Sequence, residues 1–199
     1  MIFFVDSLDL ETVLRSIDAS SSPTLRRVLV PGSVRVAEPI NTRCFRQVNR
    51  DYLWLFAFLS EVEQELAPYR SQIQRILNSN AIVVLLENSF CWGNQRNPRR
   101  PLLVEFYVGN KGVLVRIEDD GQGFDVCRVM SKYSQHDFGD CGEFEHTGYG
   151  LRILSQSDFE ITYEGEGKVV YLLDRLKKNG GPLPSPQAQQ TIRRVENTP

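Results

Sequence analysis

No apolar stretch in this chain is long enough to cross a bilayer as a helix. Beyond Tyr52 the longest run is Leu53–Leu59, seven residues, against about 20 for a membrane span. An excess of one charge is also missing. Lys plus Arg number 23 and Asp plus Glu 25, a formal net charge of -2. No strong field therefore pulls the chain onto nucleic acid or an anionic membrane. Cysteine is sparse, at positions 44, 91, 127 and 141, with no C-x-x-C. That excludes zinc-ribbon ligand spacing and argues against a disulfide scaffold. The thiols read as reduced, small buried hydrophobes of a cytoplasmic protein. Histidine occurs twice, as His136 and His146, too few for a dedicated metal centre. The opening Met1-Ile-Phe-Phe-Val-Asp6 carries no basic segment and is not expected to act as a secretory signal. What is present is a globular composition of 41% apolar, 10% aromatic and 24% charged residues in a chain of 199. Such a length suits one domain with short appendages.

The apolar pattern divides the chain. Ile2–Val5 and the helically spaced Leu8, Leu10, Val13, Leu14 and Ile17 suggest a strand–helix appendage over 1–24, followed by the loop Ala19-Ser-Ser-Ser-Pro23. Arg27–Val30 reads as a strand ended by Pro31-Gly32. Val36 to Leu66 is mostly helical, with a dense patch Tyr52–Leu59, and Pro68 ends it. Ser71 to about Trp92 reads as a second long helix, with Ile73, Leu77, Val84 and Cys91 on one face. Leu102–Val108 and Val113–Ile117 form a hairpin through Gly109-Asn-Lys-Gly112. Phe159–Tyr163 and Val169–Leu173 form another through Glu164-Gly-Glu-Gly167. From 178 to 199 the proline-rich, apolar-poor composition cannot repay its ordering entropy and reads as a flexible tail. Helices followed by paired hairpins over 25–177 predict an α+β fold. The expected form is a two-layer sandwich, a mostly antiparallel sheet with helices on one face.

Three stretches carry chemistry. Asp119-Asp-Gly-Gln-Gly-Phe-Asp125 follows the strand Val113–Ile117. Its glycines, Gly121 and Gly123, let the backbone approach a flat ligand, and the carboxylate can accept a hydrogen bond from an amino group. Thr147-Gly-Tyr-Gly-Leu151 opens a helix. There, free N–H groups and the positive end of the helix dipole suit phosphate. Asn88, in Leu85-Leu-Glu-Asn-Ser89, stands near the end of an apolar helix face, where an amide either bonds locally or ligates a cation.

Order and spacing join them. Asn88 precedes Asp119 by 31 residues, and Asp119 precedes Gly148 by 29. An Asn on a helix, then a strand ending in D-x-G-x-G, then G-x-G opening a helix resembles the GHKL, or Bergerat-type, ATP-binding fold. The resemblance covers residues 25–176. It is nearest to the stand-alone anti-sigma-factor serine/threonine kinases. It implies that Asn88 ligates a Mg2+ bridging the phosphates of ATP. Asp119 would read the adenine amino group, with Gly121 and Gly123 making room for the base. Thr147, Gly148, Tyr149, Gly150 and Leu151 would hold phosphate oxygens, and residues 126–147 would form a lid. It further implies a protein partner: a sigma factor, an anti-sigma antagonist or a response-regulator-type protein. A homodimer stays open.

The chain departs from that family at one position. Its serine-kinase and ATPase members carry a Glu four residues before the Asn as general base, and here that residue is Val84. Glu87 is the acid nearby and the candidate catalytic residue, although it lies about 100° from Asn88 on a helical wheel. The Thr usual in the family's last glycine turn is missing from Glu164-Gly-Glu-Gly167. The helical span 36–66 contains no His, which disfavours autophosphorylation. Three expectations follow: an anti-sigma-type kinase binding Mg-ATP and a partner, a lapsed nucleotide-gated binding module, or a histidine-kinase catalytic domain acting in trans.

Overall fold

Runs of β-branched and aromatic residues make the strands, and the inner ones, Leu102–Gly109, Gly112–Asp119 and Val169–Arg175, are buried along almost their whole length because both sheet faces are covered. In the computed structural model, residues 2–5, 7–33, 53–123, 125, 128–129, 131 and 149–176 are described. The strands are β1 (Ile2–Val5), β2 (Leu25–Leu29), β3 (Leu102–Gly109), β4 (Gly112–Asp119), β5 (Glu160–Glu164) and β6 (Val169–Arg175). They form one six-stranded sheet in the order β1-β5-β6-β4-β3-β2. Every neighbour pair is antiparallel except β1 with β5, which is parallel. The expected hairpins are β3–β4, closing at Gly109 opposite Gly112, and β5–β6, pairing Glu164 with Val169.

The described helices are α1 (Leu10–Ile17), α2 (Leu53–Glu65), α3 (Arg70–Leu77), α4 (Asn80–Asn88) and α5 (Tyr149–Gln156). Side chains of α2 to α5 pack on one sheet face. There Leu55, Phe58, Ile73, Ile82, Leu85 and Leu154 join Val104, Phe106, Val115, Ile117, Ile161 and Leu172 in the main core. Each such side chain contributes roughly 1.5–3 kcal/mol by leaving water. The molecule is thus an α+β two-layer sandwich with a mostly antiparallel sheet. The patch Tyr52–Leu59 is largely core, with Trp54, Leu55, Phe58 and Leu59 all buried.

Segment 1–24, read from sequence as an appendage, supplies the sixth strand and a helix on the second sheet face. Leu14 and Ile17 of α1 pack there on Tyr107, Leu114, Tyr171 and Leu173. Helix α1 is framed by its ends: Asp9 accepts the Thr12 N–H at 3.0 Å, and Asp18 closes it with φ 62. Beside it the second face is polar, with Arg116 bonded to Glu105 (3.1 Å) and Glu118 (2.6 Å).

The single helix expected over 71–92 is a correction. It breaks after Leu77 and restarts at Asn80. Ser79 is the cause, because its extended backbone leaves the helix and its Oγ accepts the Ile82 N–H at 3.4 Å. The second half then widens into a π-helical turn, Ser89–Gly93, where the Asn94 N–H reaches back to the Ser89 carbonyl at 2.8 Å. Helical span 36–52, the lid apart from residues 128, 129 and 131, and the tail 178–199 lie outside the described residues.

Candidate functional site

The π turn is where the sequence motifs meet. Asn88 ends α4 at one side of it and Gly93 ends it at the other, roughly 7 Å along the axis. Gly93 lies directly against the carboxyl group of Asp119, so close that a Cβ there would overlap that carboxyl. Asp119 is the last residue of β4 and faces the helix layer, 7% exposed. Its Oδ1 accepts the Gly121 N–H at 2.9 Å, which bends the chain out of the strand at once. Gly121 then backs onto the Gly93 carbonyl. Gly123 turns the chain again with φ +75, a left-handed conformation, and abuts the Glu166 carbonyl of the β5–β6 turn.

On the other side, Gly150 in the first turn of α5 faces α4. The atoms nearest to a Cβ there are Val84 Cγ1 at 3.2 Å and Asn88 Oδ1 and Nδ2 at 3.7 and 3.9 Å. Asn88 also hydrogen-bonds the buried Tyr163 hydroxyl. Burial pushes that phenol's pKa up, and the bond from Asn88 pulls it down. The same residue carries an amide oxygen, the atom type that ligates hard cations. Mg2+ needs few protein ligands, since it keeps waters and takes phosphate oxygens. A single amide oxygen beside the first turn of α5 fits that requirement.

Asp119 is electrostatically unusual. Burial pushes its carboxyl up to about 6, against the opposing pull of the Gly121 N–H and the Lys168 charge, while Glu118 and Asp120 add to the rise. Keeping a carboxylate in such a place costs folding energy, which is the pattern of a group held ready for a ligand.

The structure therefore sets Asn88 with Gly150 at one end of a helical turn and Asp119 with Gly121 at the other, while Gly123 lies against the β5–β6 turn. Leu151 packs its side chain against the main core, leaving its backbone as the part that can face a ligand. Glu87 is half-buried on α4, and the atoms nearest Gly150 belong to Val84 and Asn88 instead. Tyr149 begins α5. Thr147 and Gly148 lie outside the described residues.

Two residues of this region were not singled out from sequence. Gly93 is required by the carboxyl it touches. Asn94 is fully buried and its amide is fully used. It donates to the carbonyls of Arg100 (3.2 Å) and Pro101 (3.0 Å) and accepts the Asp120 N–H (3.0 Å). It pins the end of the π turn to the bend after β4. The signal was a Gly-Asn pair ending a helix, a common cap composition that says nothing of its long-range partners.

A separate cleft lies at the other end of α4, lined by Arg75, Ser79, Asn80 and Phe159 among others. Its guanidinium is already bonded to Asp174 (2.7 Å) and Asp158 (3.2 Å). Among the described residues no group of acids, cysteines and histidines could hold a metal ion, and no helix is long and apolar enough to cross a membrane. Compared with known proteins, the chain matches no family model and no curated protein.

Proposed function

We propose that this chain is a Bergerat-type ATP-binding regulator of the anti-sigma-factor-kinase kind. It would bind Mg-ATP and a protein partner in the cytoplasm and transfer phosphate to a Ser or Thr of that partner. One observation carries the reading. The π turn Ser89–Gly93 holds a cation-competent amide, Asn88, at one end and a desolvated carboxylate, Asp119, at the other. A nucleotide needs those two features at its two ends, a metal ligand for the phosphates and an acceptor for the base amino group. The glycines at 121, 123 and 150 are packed against the protein itself, on the Gly93 carbonyl, the Glu166 carbonyl and Val84, and so fix the bends that bring these parts together. Partner classes are a sigma factor, an anti-sigma antagonist or a response-regulator-type protein.

A second reading has its own observation. Val84 is buried and faces Gly150 from the position where a general base would stand. An aliphatic side chain neither accepts a proton nor orients a hydroxyl, so the chain would be a nucleotide-gated binding module with little turnover. Equilibrium binding of ATP and ADP, with and without Mg2+, tests the common part of both readings. The expected result is ATP binding that strengthens with Mg2+. No binding of either nucleotide at millimolar concentration refutes it. Phosphate transfer to a co-purified partner then separates a kinase from a lapsed module.

A further inference from the structure

Antiparallel pairing places one more side chain at this site. Strands β4 and β6 pair Ile117 with Val170 and Glu118 with Val169. The next opposed position sets Lys168 across from Asp119, and the Asp119 N–H donates to the Lys168 carbonyl at 3.1 Å. Residues directly opposed in an antiparallel pair project from the same sheet face, about 4.5–5.5 Å apart at Cβ. Ile117 and Val170 obey this, both entering the helix-side core. Asp119 faces the same way, so Lys168 shares its face. The stem of Lys168 runs along the D-x-G-x-G bend, its Cγ 3.1 Å from where a Cβ on Gly123 would stand.

We propose that Lys168 is a binding residue of this site and presents an ammonium donor to the ring nitrogen of an adenine whose amino group Asp119 accepts. The proposal rests on the nucleotide reading above. Adenine's hydrogen-bonding edge offers a donor, the exocyclic amine, next to an acceptor, the ring nitrogen. A carboxylate and an ammonium carried from opposed positions of one sheet face can be its complement. Arginine-like reach is not needed, because the two side chains start from opposed positions. The positive charge also helps Asp119 remain ionised in a buried place, against the desolvation that drives it toward its neutral form. A Thr hydroxyl, the family's usual residue in this turn, would lack that charge.

The test is Lys168→Met, which keeps the stem on Gly123 and removes the ammonium, beside Lys168→Arg, which keeps a charged donor. Affinities for ATP, ADP and adenosine are measured by calorimetry on the full chain. The Asp119 carboxyl is titrated by carbon NMR. Lys168→Met should weaken all three ligands by a similar factor, roughly 10-fold or more for a lost charge-assisted hydrogen bond. It should also raise the Asp119 pKa above its wild-type value, and Lys168→Arg should restore part of both. A loss that grows from adenosine to ADP to ATP assigns Lys168 to the phosphates and overturns the base-edge placement. Unchanged affinities, with Asp119→Asn still weak, overturn Lys168 and leave the nucleotide reading standing. A wild-type chain that binds none of the three overturns both together.

Discussion

Asp119→Asn separates stability from binding, because the group that holds the ligand is the one the fold holds at a cost. The carboxyl, ordinarily at 3.8, is pushed up to about 6 by burial in the folded chain. The folded state therefore binds the proton more tightly than the unfolded state. Stability contributed by the neutral form is present below pH 3.8 and is lost as the pH rises through 6. A rise of about 2 units at 1.36 kcal/mol per unit is about 3 kcal/mol. The residue is 7% exposed, but solvent at the edge of the bend screens the carboxyl, so about 3 kcal/mol is an upper bound. Asparagine keeps an oxygen for the Gly121 N–H and has no charge to desolvate. Denaturant unfolding of both proteins from pH 4 to pH 7.5 should show the wild type losing at most about 2.4 kcal/mol relative to the variant, because at pH 4 the unfolded carboxyl is already more than half ionised. Over the same range, ATP affinity of the wild type should fall as the pH drops below 6, since the protonated carboxyl accepts from adenine without its charge and so more weakly. At pH 7.5 the variant should bind ATP roughly 10- to 150-fold more weakly. Parallel stability curves for the two proteins would refute the desolvation argument. Equal ATP affinity would refute the role of Asp119 in binding.

Two further substitutions probe the same turn. Gly93→Ala puts a methyl group into the Asp119 carboxyl; overpacking of this kind costs about 1–3 kcal/mol, about 2–4 °C of Tm per kcal/mol at this chain length. A calorimetric Tm equal to the wild type would refute the requirement for glycine at this position. Val84→Glu places a carboxylate beside Gly150 and Asn88, so it should lower Tm through burial while raising slow ATP hydrolysis by about 100-fold. If Glu87 already serves as base, Glu87→Gln should abolish wild-type turnover in a phosphate-release assay; brisk turnover indifferent to Glu87→Gln would refute both assignments.

Local chemistry made much of this protein legible in its sequence. The hairpins at Gly109–Gly112 and Glu164–Gly167 follow from glycine-bearing turns between apolar, strand-forming runs. Segment Ile2–Val5 and the helix Leu10–Ile17 follow from apolar spacing. The two-layer α+β class follows from that order of elements. Asn88, Asp119, Gly121, Gly123 and Gly150 stood out as residue types whose chemistry exceeds their local need. Other features belong to contacts between residues far apart in the chain. Whether 1–24 joins the sheet depends on the free edge of β5, which no local pattern encodes. The break at Ser79 was invisible because a serine in an apolar helical run reads equally as a solvated residue and as a cap. The requirement for Gly93, the use of every polar atom of Asn94, and the opposition of Lys168 to Asp119 exist only once β4, β6 and the π turn are packed. Desolvation of Asp119 is of the same kind. A carboxylate two residues before a glycine is commonplace in a turn, and its pKa is displaced only because the folded helix layer takes away its water.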